Sequence, residues 1–404
     1  MENKSKLIRK LSLSMLVFYG IGTILGAGIY VLVGKVAGVS GFYAPVSFML
    51  ASLLAAFSAF SYAELASRFP RSAGEAVYVE EGFGIKPLSI SIGLLIVAVG
   101  IISTAALVHG FFGYLNVFID LPEPLVVILL VLAVGLVCAW GIGQSVIIAS
   151  AMTIVEIIGL LIILYVGRDA FYLIPARLPD MMPLPDMSIW AGIFIGSFIA
   201  FYAYLGFEDI VNVAEEAINP RINIPLAIII SLVVTTLFYI LISVVAIILI
   251  APEKLSSSNA PLAMLYQSTT GQSPVVITVI SLISVVNGAL IQVIMASRVL
   301  YGMSRKQWLP EKIGEVNKNT HTPLFAILIV ILLVLFFALS FPLLSLAKIT
   351  SFITLIIFTI INFALIKIKF SQKEHNGFMV PMLVPVTGGV STLIFILYLS
   401  STFI

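Results

Sequence analysis

Ser14 to Gly34 reads SMLVFYGIGTILGAGIYVLVG, an uncharged run of about the 20 residues that cross a bilayer as one helix. Five glycines interrupt it, and Gly20, Gly22, Gly26 and Gly28 crowd its middle. Each costs a helix about 0.5–1 kcal/mol relative to alanine, because glycine loses the most backbone freedom on folding. Two readings fit. In one the helix breaks, and a protein-lined cavity or a ligand satisfies the freed N–H and C=O groups. The second half-helix, starting near Gly26-Ala27-Gly28, then offers bare amides and a positive dipole end to an anion. In the other the glycines only let helices approach closely, since Gly22 and Gly26 form G-x-x-x-G, as do Gly34 and Gly38.

The rest of the chain sets the class. Of 404 residues, 61% are hydrophobic and 10% charged, against about 25% charged in soluble domains. The apolar runs are continuous rather than alternating, which indicates a polytopic helical membrane protein and excludes a β-barrel. Cys138 is the single cysteine and lies in an apolar run, so neither a disulfide framework nor a thiolate metal site is expected. The first apolar segment is longer than a signal-peptide core and lacks an A-x-A exit, so it reads as retained.

Eleven spans are expected near 13–34, 43–66, 88–115, 124–141, 145–166, 188–213, 224–250, 274–303, 323–341, 343–366 and 379–401, with a tight joint at 141–144. With the N-terminus inside, sixteen of the 21 Lys and Arg fall on the cytoplasmic side, which supports that orientation and places Ile404 outside. Between spans, Pro175, Pro179, Pro183 and Pro185 argue against a continuous helix over 167–187. A short lid helix is expected at Pro261–Gln267, and 304–322 is expected to lie along the membrane surface.

The sixth span repeats the oddity of the first. Ile199 to Asp209 reads IAFYAYLGFED, followed by the polar exit AEEAINPRINIP from Ala214 to Pro225. If spans one to five form one unit and six to ten another, an interrupted helix leads each. The odd number of spans per unit makes the second enter the membrane from the opposite side. Paired broken helices heading inverted repeats point to a transport site at the bilayer midplane.

These residues also resemble a family. GIGTILGAGIYV at Gly20–Val31 is similar to the first-helix signature of the amino acid–polyamine–organocation (APC) superfamily, nearest to its cationic amino acid transporter branch. Tyr62–Tyr78 (YAELASRFPRSAGEAVY), FYAYLGFED, EEAINPRINIP and Ala296–Pro310 (ASRVLYGMSRKQWLP) match in order, from about residue 12 to 366. The resemblance implies an all-α fold of about eleven transmembrane helices. Its core is a five-plus-five inverted repeat of the leucine-transporter type, with helices 1 and 6 discontinuous. Residues 1–12 would be a cytoplasmic segment, 13–166 the first repeat, 188–366 the second, and 379–404 an added span. The family usually has twelve or more spans, so an expected stop after eleven marks the last segment as a departure.

The resemblance also implies the site. The amides of Gly26, Ala27 and Gly28 would take the α-carboxylate of an amino acid. The carbonyls of Ile24, Tyr202, Ala203 and Leu205 would take its ammonium. Ala27 stands where relatives carry a hydroxyl. The aromatics Phe201, Tyr202, Tyr204 and Phe207 would gate the pocket or form bundle core.

Intramembrane acids are functional candidates by default. Glu156 lies in the fifth span where relatives place a lysine, so it is either a protonatable carboxylate, a cation ligand or a structural acid. Glu208 follows the break in the sixth span, and its neighbour Asp209 points about 100° away. Ser281, Ser284 and Asn287 share helical spacing on span eight, facing where the fold would place a coupling ion. Arg298 would close an inner gate or snorkel. His109 in the third span reads either as a group titrating near neutral pH or as a lone histidine satisfied by a backbone carbonyl, and Glu64 with Arg68 reads as a surface ion pair.

No H-E-x-x-H, P-loop or G-x-S-x-G is present, and no paired intramembrane acids or Ser–His set suggests proteolysis. The expectation is therefore a non-enzymatic secondary carrier in the cell membrane, needing no cofactor or metal. It moves an amino acid by alternating access with a proton. Exchange, sodium symport or a transporter-like sensor are the alternatives.

Overall fold

The computed structural model describes residues 9, 11–71, 74–116, 118–140, 142–318, 320, 322–371 and 375–403, with side-chain surroundings for all of these except 27, 142–147 and 401–403. The helices are α1 (Leu13–Ser40), α2 (Ala44–Arg68), α3 (Gly74–Phe83), α4 (Lys86–Leu115), α5 (Glu123–Trp140), α6 (Ile142–Val166), α7 (Asp169–Met181) and α8 (Met187–Ala203). After a 3-10 stretch at Glu208–Glu216 come α9 (Pro220–Leu249), α10 (Pro252–Ser257), α11 (Pro261–Thr270) and α12 (Val275–Arg305). The chain finishes with α13 (Leu324–Ser340), α14 (Leu343–Ser371) and α15 (Leu383–Phe403). Among the described residues there is no β-sheet, only a bridge between Leu11 and Ala217.

All eleven expected spans have a counterpart: α1, α2, α4, α5, α6, α8 with its 3-10 extension, α9, α12, α13, α14 and α15. The first is longer than expected because α1 stays helical beyond Gly34 to Ser40. There Gly34 and Gly38 lie against Leu255 and Ser256 of α10, so this G-x-x-x-G pair does serve close packing. The joint expected at 141–144 falls partly on Gly141, outside the described residues.

The connections hold the differences. Residues 169–181 form a helix despite Pro175 and Pro179. The two prolines are four apart, so the hydrogen bonds they remove lie on one face, and the helix can tilt away there without ending. α11 extends the expected lid helix and α10 precedes it. In the 304–322 segment α12 runs on to Arg305, and among the described residues after it the one helical piece is a 3-10 turn at Glu311–Gly314. α3 was not foreseen. It buries Gly74, Glu75, Ala76, Val77, Tyr78 and Val79 against the bundle.

α1 runs through the middle of the molecule, packed against α6, α8, α9, α10 and α12. α15 lies to one side on α14 and α2, while α5 and α13 pair on another. At the end carrying Leu11, backbone hydrogen bonds from Leu11 N–H to Glu216 O (3.0 Å) and from Ile218 N–H to Leu11 O (2.9 Å) tie the start of α1 to the exit of the sixth span.

Candidate functional site

The glycines of α1 divide between the two readings. Only Gly26 leaves the helical region, with φ 12° and ψ −127°. The others are contact points. A Cβ on Gly20 would stand 2.5 Å from both Ile210 Cδ1 and Ser231 Oγ, and one on Gly22 would stand 2.8 Å from Asn287 Nδ2. On Gly28 it would lie 2.7 Å from the Tyr239 hydroxyl and 2.9 Å from Ala203 Cα. The carbonyl that Gly26 frees is not left bare: Ser284 Oγ on α12 donates to it at 2.8 Å.

The second break is wider. α8 ends at Ala203, and Tyr204 to Phe207 unwind before the 3-10 stretch begins. Gly206 sits at φ 125°, a conformation that suits glycine, and a Cβ there would press on Thr23 of α1 at 2.7 Å. Glu208 Oε2 accepts the Gly206 N–H at 2.9 Å, so the acid caps its own break. Leu205 N–H donates to Tyr202 O at 3.2 Å, which occupies one of the four carbonyls expected to hold an ammonium.

Two of the remaining three converge. The Tyr239 hydroxyl on α9 lies 2.5 Å from Ile24 O and 2.8 Å from Ala203 O, and its one proton is shared between carbonyls of the two broken helices. The sequence reading missed Tyr239. Its signal was a hydroxyl in the aliphatic run from Leu237 to Ile242, since a buried tyrosine needs a hydrogen-bond partner.

The aromatics form a packed cluster. Tyr204 and Tyr239 meet edge-on at 5.0 Å, Phe201 meets Phe358 at 5.8 Å, and Phe207 meets Phe358 at 5.3 Å and Tyr62 at 5.8 Å. The Tyr202 hydroxyl reaches Ser103 Oγ on α4 at 3.0 Å. All are buried, so as found here they are bundle core.

Behind the first break, Asn287 Nδ2 donates to Glu156 Oε1 at 2.8 Å and to Thr153 Oγ1 at 3.3 Å. Glu156 Oε2 and Asn287 Oδ1 are buried without a hydrogen-bond partner. Ser281 only bonds its own helix, at Ile277 O. Gln292 Nε2 donates to Asp209 Oδ2 at 2.8 Å.

Glu64 with Arg68 departs from expectation, Arg298 from one of its two readings, and His109 from neither, since a backbone carbonyl satisfies it. Arg298 neither snorkels nor stands alone: its Nη2 pairs with Glu216 at 2.9 Å, with both side chains 8% exposed, close to the Leu11 tie. Glu64 and Arg68 are not a surface pair. Their side chains are 0% and 3% exposed, because the link before α15 folds over them. Lys369 Nζ (2.6 Å) and Val380 N–H (2.8 Å) complete the coordination of Glu64. His109 bonds both Glu123, through Nδ1 at 2.6 Å, and Phe341 O, through Nε2 at 3.0 Å. Among the described residues, no group of three or more His, Cys, Asp or Glu could hold a metal.

The start of the second half of α1 lies against Ala203, and two carbonyl acceptors from separate helices point at one donor position nearby. The amino acid permease family profile matches residues 11–404 of this chain. The chain belongs to the amino acid permease family, within the APC superfamily. The branched-chain amino acid permease BcaP of Bacillus subtilis (strain 168) is 28% identical over 97% of this permease and 88% of its own length. The vacuolar cationic amino acid transporter 4 of Arabidopsis thaliana is 31% identical over 92% of this permease, which spans 65% of the plant protein. MhsT, solved in complex with L-phenylalanine, matches the permease with a TM-score of 0.66 at 16% identity, covering 97% of this chain and 99% of that one. The fold is therefore the leucine-transporter type.

Proposed function

We propose that this permease is a secondary carrier that moves a small neutral α-amino acid across the cell membrane by alternating access, coupled to a proton. The observation that carries this reading is the convergence of the Ile24 and Ala203 carbonyls on the Tyr239 hydroxyl. Two broken helices together frame a place for a hydrogen-bond donor, and a substrate ammonium is a stronger donor than a phenol. The carboxylate would face Gly26, Ala27 and Gly28, at the positive end of the second half of α1.

The acids that flank the breaks favour a neutral side chain. Glu208 caps Gly206, Asp209 accepts from Gln292 and Glu156 accepts from Asn287, so none of these three is set aside for a cationic substrate. Glu156 is the proton carrier in this reading. One oxygen stays anchored on Asn287 while the other, unpartnered, gains and loses the proton. Ser284 senses the break through Gly26 O, and Arg298 with Glu216 latches the end that carries Leu11. Residues 13–166 and 188–366 serve as the inverted repeats, with α15 outside them. The N-terminus faces the cytoplasm, as the Lys and Arg distribution supports.

Thermal-shift screening against the common amino acids, in detergent, tests the substrate. A true substrate at a hundred times Kd adds about 2.7 kcal/mol of stability. Stabilisation by arginine or lysine and by no neutral amino acid overturns the neutral assignment. Uptake into proteoliposomes under an inward proton gradient, then a sodium gradient, tests the coupling. A sodium requirement with no response to protons refutes the role given to Glu156.

A further inference from the structure

A crevice of about 570 Å³ lies between α2, the start of α8 and α9. Ser52 and Thr236 bring hydroxyls to its wall, and no charged residue lines it. At its rim Met49, Leu53 and Val233 are 52%, 54% and 62% exposed, on helices long and apolar enough to span the membrane. The mouth therefore opens into hydrocarbon. Water is a poor occupant there, because the bilayer core holds none to exchange with. An ionised headgroup is a poor occupant too, since no cation in the wall would repay its desolvation.

The wall is not uniformly apolar, and its polar corner leads inward. The Tyr204 hydroxyl is buried and makes no hydrogen bond. The side chains facing it are the hydroxyls of Ser52 and Thr236, which line the crevice. Ser52 already spends its proton on Met49 O at 2.8 Å. An unmet phenol at bilayer depth costs about 1–3 kcal/mol, and Ser52 and Thr236 form the wall through which it adjoins the crevice. Tyr204 belongs to the second break, and its ring meets Tyr239 at 5.0 Å.

We propose that this crevice binds an uncharged amphiphile drawn from the bilayer, a hydrocarbon body carrying one hydroxyl, and that the bound hydroxyl engages Tyr204. The oxygen accepts the Tyr204 proton and its own proton goes to Thr236. The hydrocarbon body lies against Leu50, Ala56 and Phe60. The bound molecule then restrains Tyr204 and, through the ring contact, Tyr239, which holds Ile24 and Ala203.

The test uses the full chain in nanodiscs of phosphatidylcholine. The probe is a long-chain primary alcohol with a diazirine in its chain, and the control is the same chain with hydrogen in place of the hydroxyl. Photolabelling by the alcohol is expected to concentrate on residues 46–60 and 229–240, at least fivefold above the control. Ala56→Trp, which fills the crevice, should abolish that excess, and Tyr204→Phe should reduce it severalfold. Val233→Trp at the rim repeats the occlusion from an exposed position, should Ala56→Trp fail to fold. Equal labelling by alcohol and control, labelling spread over all lipid-facing helices, or an excess unchanged by both tryptophans overturns the proposal. The readout is binding alone, so it stands or falls separately from transport.

Discussion

At Gly26 the chain of α1 turns through one residue and resumes, whereas after Ala203 four residues unwind before a 3-10 stretch takes over. The first break draws its support from elsewhere: Ser284 on α12 holds its carbonyl and Tyr239 on α9 holds that of Ile24. The second shares Tyr239, which also bonds Ala203 O, but adds a support of its own, with Glu208 capping Gly206 and with Gly206 in a conformation other residues resist. A break held from outside responds to whatever replaces its holders. A self-capped break acts as a fixed hinge. In the proposed cycle the two interrupted helices divide the work: α1 adapts to the occupant, and the 204–207 segment sets the frame.

Gly206→Val attacks the frame and should have the largest effect. Strain at positive φ and the collision with Thr23 together cost about 2–6 kcal/mol, visible as lost expression and a lower melting temperature in detergent. Gly26→Ala should be milder, since a Cβ there meets nothing closer than Gly288 Cα at 3.7 Å. Equal damage from the two would break the comparison.

Tyr239→Phe comes next. It leaves Ile24 O and Ala203 O without their donor and should cost about 1–3 kcal/mol in the empty protein. The same variant should gain more melting temperature than the parent from a saturating amino acid, because the ammonium no longer competes with a hydroxyl. An equal gain would show that hydroxyl and ammonium do not share a place.

The frame also carries a pH signature. Glu75 on α3 is fully buried, its oxygens make no hydrogen bond, and Gly74 beside it donates to Asn212 of the 3-10 stretch at 3.3 Å. Burial first, and the charge of Glu208 second, push the Glu75 carboxyl up from 4.5 to about 8. The folded protein therefore holds a proton that the unfolded chain releases, and stability falls as pH rises from about 4.5 to about 8. Melting curves across that window should flatten in Glu75→Gln. An unchanged slope would place the titration elsewhere.

Ser284→Ala should show the smallest change, about 0.5–1.5 kcal/mol for one hydrogen bond, with the α1 break widened rather than abolished. A loss as large as that of Gly206→Val would mean that the first break is no more adaptable than the second.

Legibility in the sequence followed the kind of force involved. Spans and both interruptions were readable, because apolar length and clustered glycine act locally. Which glycine breaks α1 was not, since Gly20, Gly22 and Gly28 are explained only by the side chains that close on them. Tyr239 and the Arg298–Glu216 pair were hidden for a related reason: their partners come from distant segments and carry no fixed spacing. Pro175 and Pro179 misled because a proline removes one hydrogen bond, not a helix. Glu64 and Arg68 misled because four-residue spacing says nothing about what later covers it.

That last pair bears on how the chain is made. Glu64 lies within the second span, yet Lys369 and the Val380 N–H that complete its coordination are synthesised some three hundred residues later. For most of translation, α2 must enter the bilayer with its acid unassembled, where a lone carboxylate is costly. Arg68, one turn along the same helix at 2.8 Å, travels with it from the start. Of the three partners of Glu64 named here, Arg68 is the one that α2 brings with it, and residues 369 and 380 complete the set only once the last helices have been made.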